Sequence, residues 1–172
     1  MDVLEAIRTR RSIRKYDRDA APVTAGELRA ILGAGFAAPS AHNRQPRHYY
    51  VVRDREKRET IARIGRYTKM AAEADLCIVI AGDTSMQKSI ELLTMDCSAS
   101  IENMLLAAHG LGLGAVWCGV FPGASLEVDT LTSLVGMPTQ QVPLGIVVVG
   151  RPGETRESVD RYNPAFVHME EG

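Results

Sequence analysis

Apolar positions along this chain recur with two different periods, and the changes of period mark its elements. Val3, Leu4 and Ile7 stand at helical spacing and predict a short first helix. The RRSIRKY segment (Arg10 to Tyr16) breaks that spacing and reads as extended, with Ser12, Ile13 and the aromatic Tyr16 inside it. Pro22 interrupts the chain. Thr24 then precedes Glu27 by three residues, a capping box, and Leu28, Ile31 and Leu32 carry one apolar face to about Ala37. APSAHNRQP (Ala38 to Pro46) is a polar loop punctuated by two prolines.

HYYVVRD (His48 to Asp54) predicts a strand and Lys57 to Ile64 a helix. LCIVIAGD (Leu76 to Asp83) is a continuous apolar run rich in β-branched residues, the pattern of a strand covered on both faces. From about Gln87 to His109 the pattern is helical and apolar nearly all round, which places that helix in the middle of a fold. GLGAVWCGVF (Gly112 to Phe121) predicts a turn and then a strand. Leu126 to Val135 predicts a helix closed by Gly136 and Pro138, and Val142 to Gly150 another buried strand. After Arg151-Pro152-Gly153 the tail is polar, yet it carries Tyr162, Phe166 and Val167, which a solvated tail would not need. No repeat, low-complexity segment or linker interrupts the sequence. The expectation is a mixed α/β single domain over 1–172, helix-rich, around a modest sheet.

Composition changes this picture mainly by exclusion. Apolar residues make up 45% of the 172, enough for a sizeable core. Lys and Arg number 20 against 21 Asp and Glu, a balance that argues against general nucleic-acid binding. The charge is nonetheless uneven: Arg8, Arg10, Arg11, Arg14 and Lys15 crowd the start, and Glu170 and Glu171 stand at the end. A small anionic ligand suits that distribution better than a long polyanion. Cys77, Cys97 and Cys118 are odd in number and widely spaced, which argues against a disulfide framework and for a reducing compartment. No apolar stretch approaches the ~20 residues of a membrane span, and the start lacks the apolar run of a signal peptide. The expected location is the cytoplasm.

Three constellations could carry chemistry. Arg10, Arg11, Ser12 and Arg14 offer planar guanidinium forks and a hydroxyl of the kind that grips a phosphate monoester. In an extended segment Arg10, Ser12 and Arg14 share one side. A solvated basic turn is the bland alternative. Pro39 to Pro46 stiffens a loop whose Ser40, Asn43 and Gln45 can bond a polyhydroxyl chain or a ring edge without adding charge, although such a loop is often only a loop. Gly110-x-Gly112-x-Gly114 follows a helix and precedes a strand. That is the reverse of the order a dinucleotide fingerprint needs, so it reads as a helix C-cap with close packing. His42, His48, His109 and His168 make no metal-binding spacing. His109 and Asp96 both read as satisfied core groups. No G-x-S-x-G or cysteine-enzyme context supports a hydrolase built on Cys97 or Cys118.

Taken in order, these segments resemble the nitroreductase family, in particular its short members, over essentially the whole chain. RRSIRKY is similar to the family's N-terminal flavin-phosphate motif, and APSAHNRQP to its P-S-x-x-N-x-Q-P loop. LGLGAVWCGVFP resembles the strand that passes the isoalloxazine ring. VPLGIVVVGRP with DRYNPAFVH resembles the last strand and returning tail. The resemblance implies an α+β fold with a small central sheet flanked by helices, a long buried helix at a homodimer interface and a swapped C-terminal tail. It implies bound FMN, reduced by NADH or NADPH, in a ping-pong cycle. Hydride would pass through flavin N5 to an electron-poor acceptor: a nitroaromatic, quinone or enone.

Residue by residue, the resemblance implies that Arg10, Arg11 and Ser12 bind the FMN phosphate and nearby ribityl hydroxyls, with Arg161 as a second phosphate arginine. Arg14 would lie near the ribityl chain and the pyrimidine edge, where a fixed cation stabilises the reduced flavin. Pro39, Ser40 and Ala41 would line the flavin from the other subunit, with Asn43 and Gln45 reaching its polar atoms. The backbone at Trp117, Cys118 and Gly119 would face the ring near N5. Tyr67, Lys69 and Met70 would line the substrate. No side chain need act as acid, base or nucleophile, because the cofactor carries the redox chemistry. Some longer members have an acidic residue where Cys118 stands, so a thiol near the redox centre is a departure. Two alternatives stay open: a flavin-binding redox sensor without turnover, and a dehalogenase or flavin-fragmenting enzyme on the same fold. The latter usually needs lid segments that the stretch from Arg53 to Leu76 does not provide.

Overall fold

The structure, a computed structural model, describes residues 1–170; Glu171 of the acidic end and Gly172, the last residue of the expected domain, lie outside the described residues. Nine principal elements follow in the order α1 (Val3–Thr9), α2 (Ala25–Phe36), β1 (Arg47–Val52), α3 (Arg55–Ile64), β2 (Leu76–Asp83), α4 (Ile90–Gly110), β3 (Gly114–Gly119), α5 (Ser125–Val135) and β4 (Gln141–Gly150). Local chemistry sets several of the ends. Asp2, Thr24, Asp54 and Ser89 each cap a helix through a side-chain oxygen, and Thr24 with Glu27 forms the full capping box. Leu111 ends α4, and Gly112, at φ +74°, turns the chain into β3, which explains the glycine run without any nucleotide. Capping also accounts for the helix that reads from Lys57 in the apolar pattern: Asp54 starts it two residues earlier, at Arg55.

The four strands pair antiparallel in the order β1-β2-β4-β3. All eight residues of β2 are buried. Alternation along it feeds two cores: Leu76, Ile78 and Ile80 meet Ile31 of α2 and Leu93, Cys97, Ile101 and Met104 of α4, while Cys77, Val79 and Ala81 meet Ile61 of α3 and Leu131 of α5. The sheet is thus a single layer between two helical layers. The fold is α+β, as expected.

Helix α4 differs in one respect from the reading of it as buried throughout. Leu93, Asp96, Cys97, Ser100, Ile101, Met104, Leu105 and Ala108 face the core, but Met95 is 60% exposed. The tail behaves likewise. Tyr162, Phe166 and Met169 are each more than 70% exposed, so these apolar side chains of the tail find little cover among the described residues. No helix among the described residues is long and apolar enough to cross a membrane.

Candidate cofactor site

The arginine segment is laid along the free edge of β3. The Ile13 amide donates to the Ala115 carbonyl at 3.0 Å, Tyr16 bridges to Pro152, and Asp17 N and Gly153 N bond Arg151 O and Lys15 O at 3.0 and 2.8 Å. The Tyr16 hydroxyl donates to Ile13 O and Val148 O at 2.9 and 3.2 Å, so the buried ring anchors the segment from inside. Glu154 accepts the amides of Arg14 and Lys15 at 2.7 and 3.2 Å. The carboxyl of Glu154 is held below the usual range, first by that Arg14 amide. An extended segment with unpaired amides needs such partners, and the start of the tail supplies them.

At the upstream end of this segment, Ile7 to Arg11 and Ser158 to Arg161 line a cavity of about 540 Å³. Arg8 and Arg161, far apart in the chain, line it together with Arg10 and Arg11. The positive field of Arg10 and Arg11 reaches His109 at the end of α4. Burial, then Arg10 and Arg11, push its imidazole below the usual value. Its Nε2 lies 2.8 Å from Thr9 Oγ1, which pins α1 to α4. Arg10 faces Glu102 of α4 at 3.5 Å. Arg11 departs from the simple picture of a free phosphate ligand: its guanidinium already donates to Glu157 O and Val159 O of the tail at 3.1 Å each, and to Arg8 O and Arg10 O. It ties the tail down and so brings Arg161 to the cavity. Ser12 is half-buried beside this cluster in sequence, and Arg14 is exposed.

Farther along β3, Trp117 and Gly119 are exposed while Cys118 turns inward. The Cys118 thiol donates to Tyr67 O at 3.2 Å and lies 4.0 Å from Met70 Sδ. Burial pushes it up to about 11, only partly countered by Arg14. Burial and this raised value both favour the protonated thiol, packed under the strand. The same contacts bring Tyr67, Lys69 and Met70 alongside the strand: Tyr67 and Lys69 are exposed, Met70 is half-buried, and the Arg66 guanidinium lies 5.6 Å from the centre of the Tyr67 ring. Cys97 is also buried and pushed up to about 12, which leaves no accessible thiolate for a hydrolase.

The Pro39–Pro46 loop lies elsewhere on the chain. Ser40 Oγ accepts the Gln45 amide at 2.9 Å, and Gln45 Nε2 donates to Asn43 Oδ1 at 3.1 Å. His42, Asn43 and Gln45 take left-handed backbone angles (φ 54°, 53° and 50°). Residues with a Cβ pay for that conformation, and three of them cost on the order of 3 kcal/mol together. Asp96 of α4 accepts the Ala41 amide at 2.8 Å, and Arg47 of β1 donates to Pro39 O and Ala38 O at 2.9 Å each. Asp96 and Glu102 are six residues apart on α4, roughly 9 Å of rise and one and two-thirds turns, so they stand about a third of a turn apart around the axis. The loop and the arginine cluster thus meet different sides of α4, and no residue of the loop lines the arginine cavity.

Sequence reasoning did not find Glu102, Glu154 or Arg47. Nothing local marks a buried arginine after Pro46 or a surface acid that bonds a distant amide. Asp96 had a signal, as an acid inside an apolar helix. No group of three His, Cys, Asp or Glu side chains among the described residues is gathered as a metal site.

The chain resembles known proteins in both sequence and fold. A profile of the nitroreductase family matches residues 7–73 and 65–151. A protein of Methanothermobacter thermautotrophicus, provisionally named an NADH dehydrogenase/NAD(P)H nitroreductase, is 41% identical over 99% of this chain and 87% of its own. The NADPH-flavin oxidoreductase of Vibrio harveyi is 31% identical over 99% of this chain and 73% of its own. A crystal structure from Desulfovibrio desulfuricans, provisionally named a nitroreductase and solved in complex with FMN, superposes with a TM-score of 0.83 at 30% identity, over 100% of this chain and 98% of that one. With motifs, topology and relatives in agreement, the chain belongs to the nitroreductase family.

Proposed function

We propose that this chain is an FMN-dependent oxidoreductase of the cytoplasm that takes electrons from NADH or NADPH and reduces an electron-poor acceptor, with residues 1–172 acting as one FMN-binding domain. The observation that carries the reading is the meeting of Arg8, Arg10 and Arg161 around one cavity beside the start of the segment that pairs with β3, with Arg11 tying the tail in place. A phosphate dianion is the ligand that such a set of forked donors fits. Bound FMN would supply the redox chemistry, accepting a hydride at N5 and passing it to the acceptor.

The chain's own residues would hold and tune it. Arg10, Arg161 and the Ser12 hydroxyl grip the phosphate, and Arg11 orders the tail that delivers Arg161. Arg14 places a cation by the pyrimidine edge and favours the reduced state. The exposed backbone at Trp117 and Gly119, with Cys118 turned inward between them, lies along the ring near N5. Tyr67, Lys69 and Met70 border the open face, where nicotinamide and acceptor bind in turn. Nitroaromatics, quinones and enones are the acceptor class.

The working unit is a homodimer. Pro39, Ser40, Ala41, Asn43 and Gln45 serve the flavin of the second copy, because within one chain they lie on a different side of α4 from Arg10. The exposed Met95 on α4 and the exposed Tyr162 and Phe166 in the tail offer apolar surface for that partner. The test is an absorbance spectrum of protein produced with ample FMN, then titration with NADH and NADPH without oxygen. A yellow protein bleached by either nucleotide is expected. A yellow protein that neither bleaches would be a sensor, and a colourless one would remove the flavin reading. Sizing should give a dimer; a flavin-loaded monomer would break the shared site.

A further inference from the structure

We infer that Asp96 and Arg47 form a buried clamp that sets the flavin-facing shape of the Pro39–Pro46 loop, acting as positioning residues rather than as general supports of the fold. Both side chains are only 5% exposed. Asp96 Oδ1 takes the Ala41 amide at 2.8 Å from one side. From the other, Arg47 Nη1 takes Pro39 O at 2.9 Å, and Nη2 takes Ala38 O at 2.9 Å and Phe36 O at 3.5 Å. The clamp therefore grips the chain immediately before the left-handed residues His42, Asn43 and Gln45.

A relaxed loop would need no such hold. Left-handed residues other than glycine persist only where their surroundings over-determine them. Hydrogen bonds to buried charges are the stronger kind available for that, and a buried charge is costly to keep. The cost is visible here: among the described residues Asp96 Oδ2 and Arg47 Nε, both buried, have no hydrogen-bond partner. Two ionisable side chains incompletely paired in the interior are a poor way to stabilise a fold. They are a good way to fix the Ala38 and Pro39 carbonyls and the Ala41 amide at the start of a loop whose sequence would otherwise relax. Ser40, Asn43 and Gln45 are the groups so placed, and their proposed ligand is the flavin of the partner copy.

This inference rests on the flavin reading above, so its test has a readout that needs no flavin. Asp96→Ala is compared with Asp96→Asn, which keeps an acceptor for the Ala41 amide. The third variant is Leu131→Ala, which opens a cavity in the other core, among the residues of α5. In FMN-free protein, hydrogen exchange at the Ala41 to Gln45 amides is expected to quicken about tenfold or more in Asp96→Ala, the scale of one bond to a charged group. It should stay near wild type in Leu131→Ala and quicken by a smaller factor in Asp96→Asn, whose acceptor is uncharged. With FMN, the Kd should weaken by a similar factor in Asp96→Ala only, and the visible circular dichroism of the bound flavin should change. Should Asp96→Ala not fold, Arg47→Lys, which keeps the charge but loses the fork, should give the same pattern in smaller measure. Unchanged exchange in the loop overturns the clamp, as does FMN affinity that falls equally in Leu131→Ala. A wild-type protein that binds no FMN would sink the flavin reading, while the exchange data would still decide on the clamp.

Discussion

Ile13 packs directly on the bare backbone of Gly114: a Cβ built at that glycine would lie 2.7 Å from Ile13 Cγ2 and 3.3 Å from the Cα of Pro152. The arginine segment can follow the edge of β3 only because that position has no side chain. Gly114→Ala should push Ile13 away and lift Arg10 to Arg14 with it. An overpacking loss of about 1–3 kcal/mol is expected, read as a lower midpoint in urea, together with weaker FMN binding. A stability and Kd equal to wild type would mean that the segment is not seated there.

Arg10→Ala combined with Arg161→Ala should weaken FMN binding by about tenfold or more for each lost charged hydrogen bond. Riboflavin, which lacks the phosphate, should bind the variant and the wild type alike. Fluorescence titration with both ligands separates loss of a phosphate grip from general damage. Arg11→Ala should act differently, freeing residues 157–159 for proteolysis, because its partners are the carbonyls of Glu157 and Val159.

All three cysteines are buried, and burial pushes Cys77 and Cys97 up to about 12 and Cys118 up to about 11. The native protein should therefore give almost no reaction with a thiol reagent at neutral pH, and three equivalents after denaturation. Rapid labelling of one thiol in the folded protein would show Cys118 to be accessible and reactive after all.

Acid should destabilise the fold through two groups. Glu27, paired with Arg151 at 2.9 Å and bonded to the Thr24 amide, is held down from 4.5 to about 2. Its folded value is depressed, so its contribution is complete above the ordinary glutamate range and is lost as pH falls toward 2. A solvent-screened pair of this kind supplies at most about 1 kcal/mol. His109 is also depressed, so below its ordinary value of 6.5 the unfolded chain takes up a proton that the folded chain resists, and stability falls there too. Denaturant midpoints measured from pH 7 to pH 3 should decline. Glu27→Gln should start lower at pH 7 and decline less below pH 4.5. Parallel curves for the two proteins would remove Glu27 from the account.

The sequence by itself determined most of the elements and their order. The period of Val3, Leu4 and Ile7, the Thr24–Glu27 capping box, the unbroken run from Leu76 to Asp83 and the glycine closing α5 are local signals, and local backbone physics answered them. The ordered motifs also carried the family, because residue types at set separations survive in one dimension. What the tertiary structure decided was who meets whom. Arg11 spends its guanidinium on the tail, Cys118 faces inward beneath Tyr67, and Arg47 is buried beneath the Pro39–Pro46 loop; none of these follows from neighbours in the chain. The same holds for the two sides of α4. Its apolar pattern fixed it as a helix, but only packing against the sheet chose which face became core, leaving Met95 outside and setting Asp96 against the Pro39–Pro46 loop and Glu102 against Arg10.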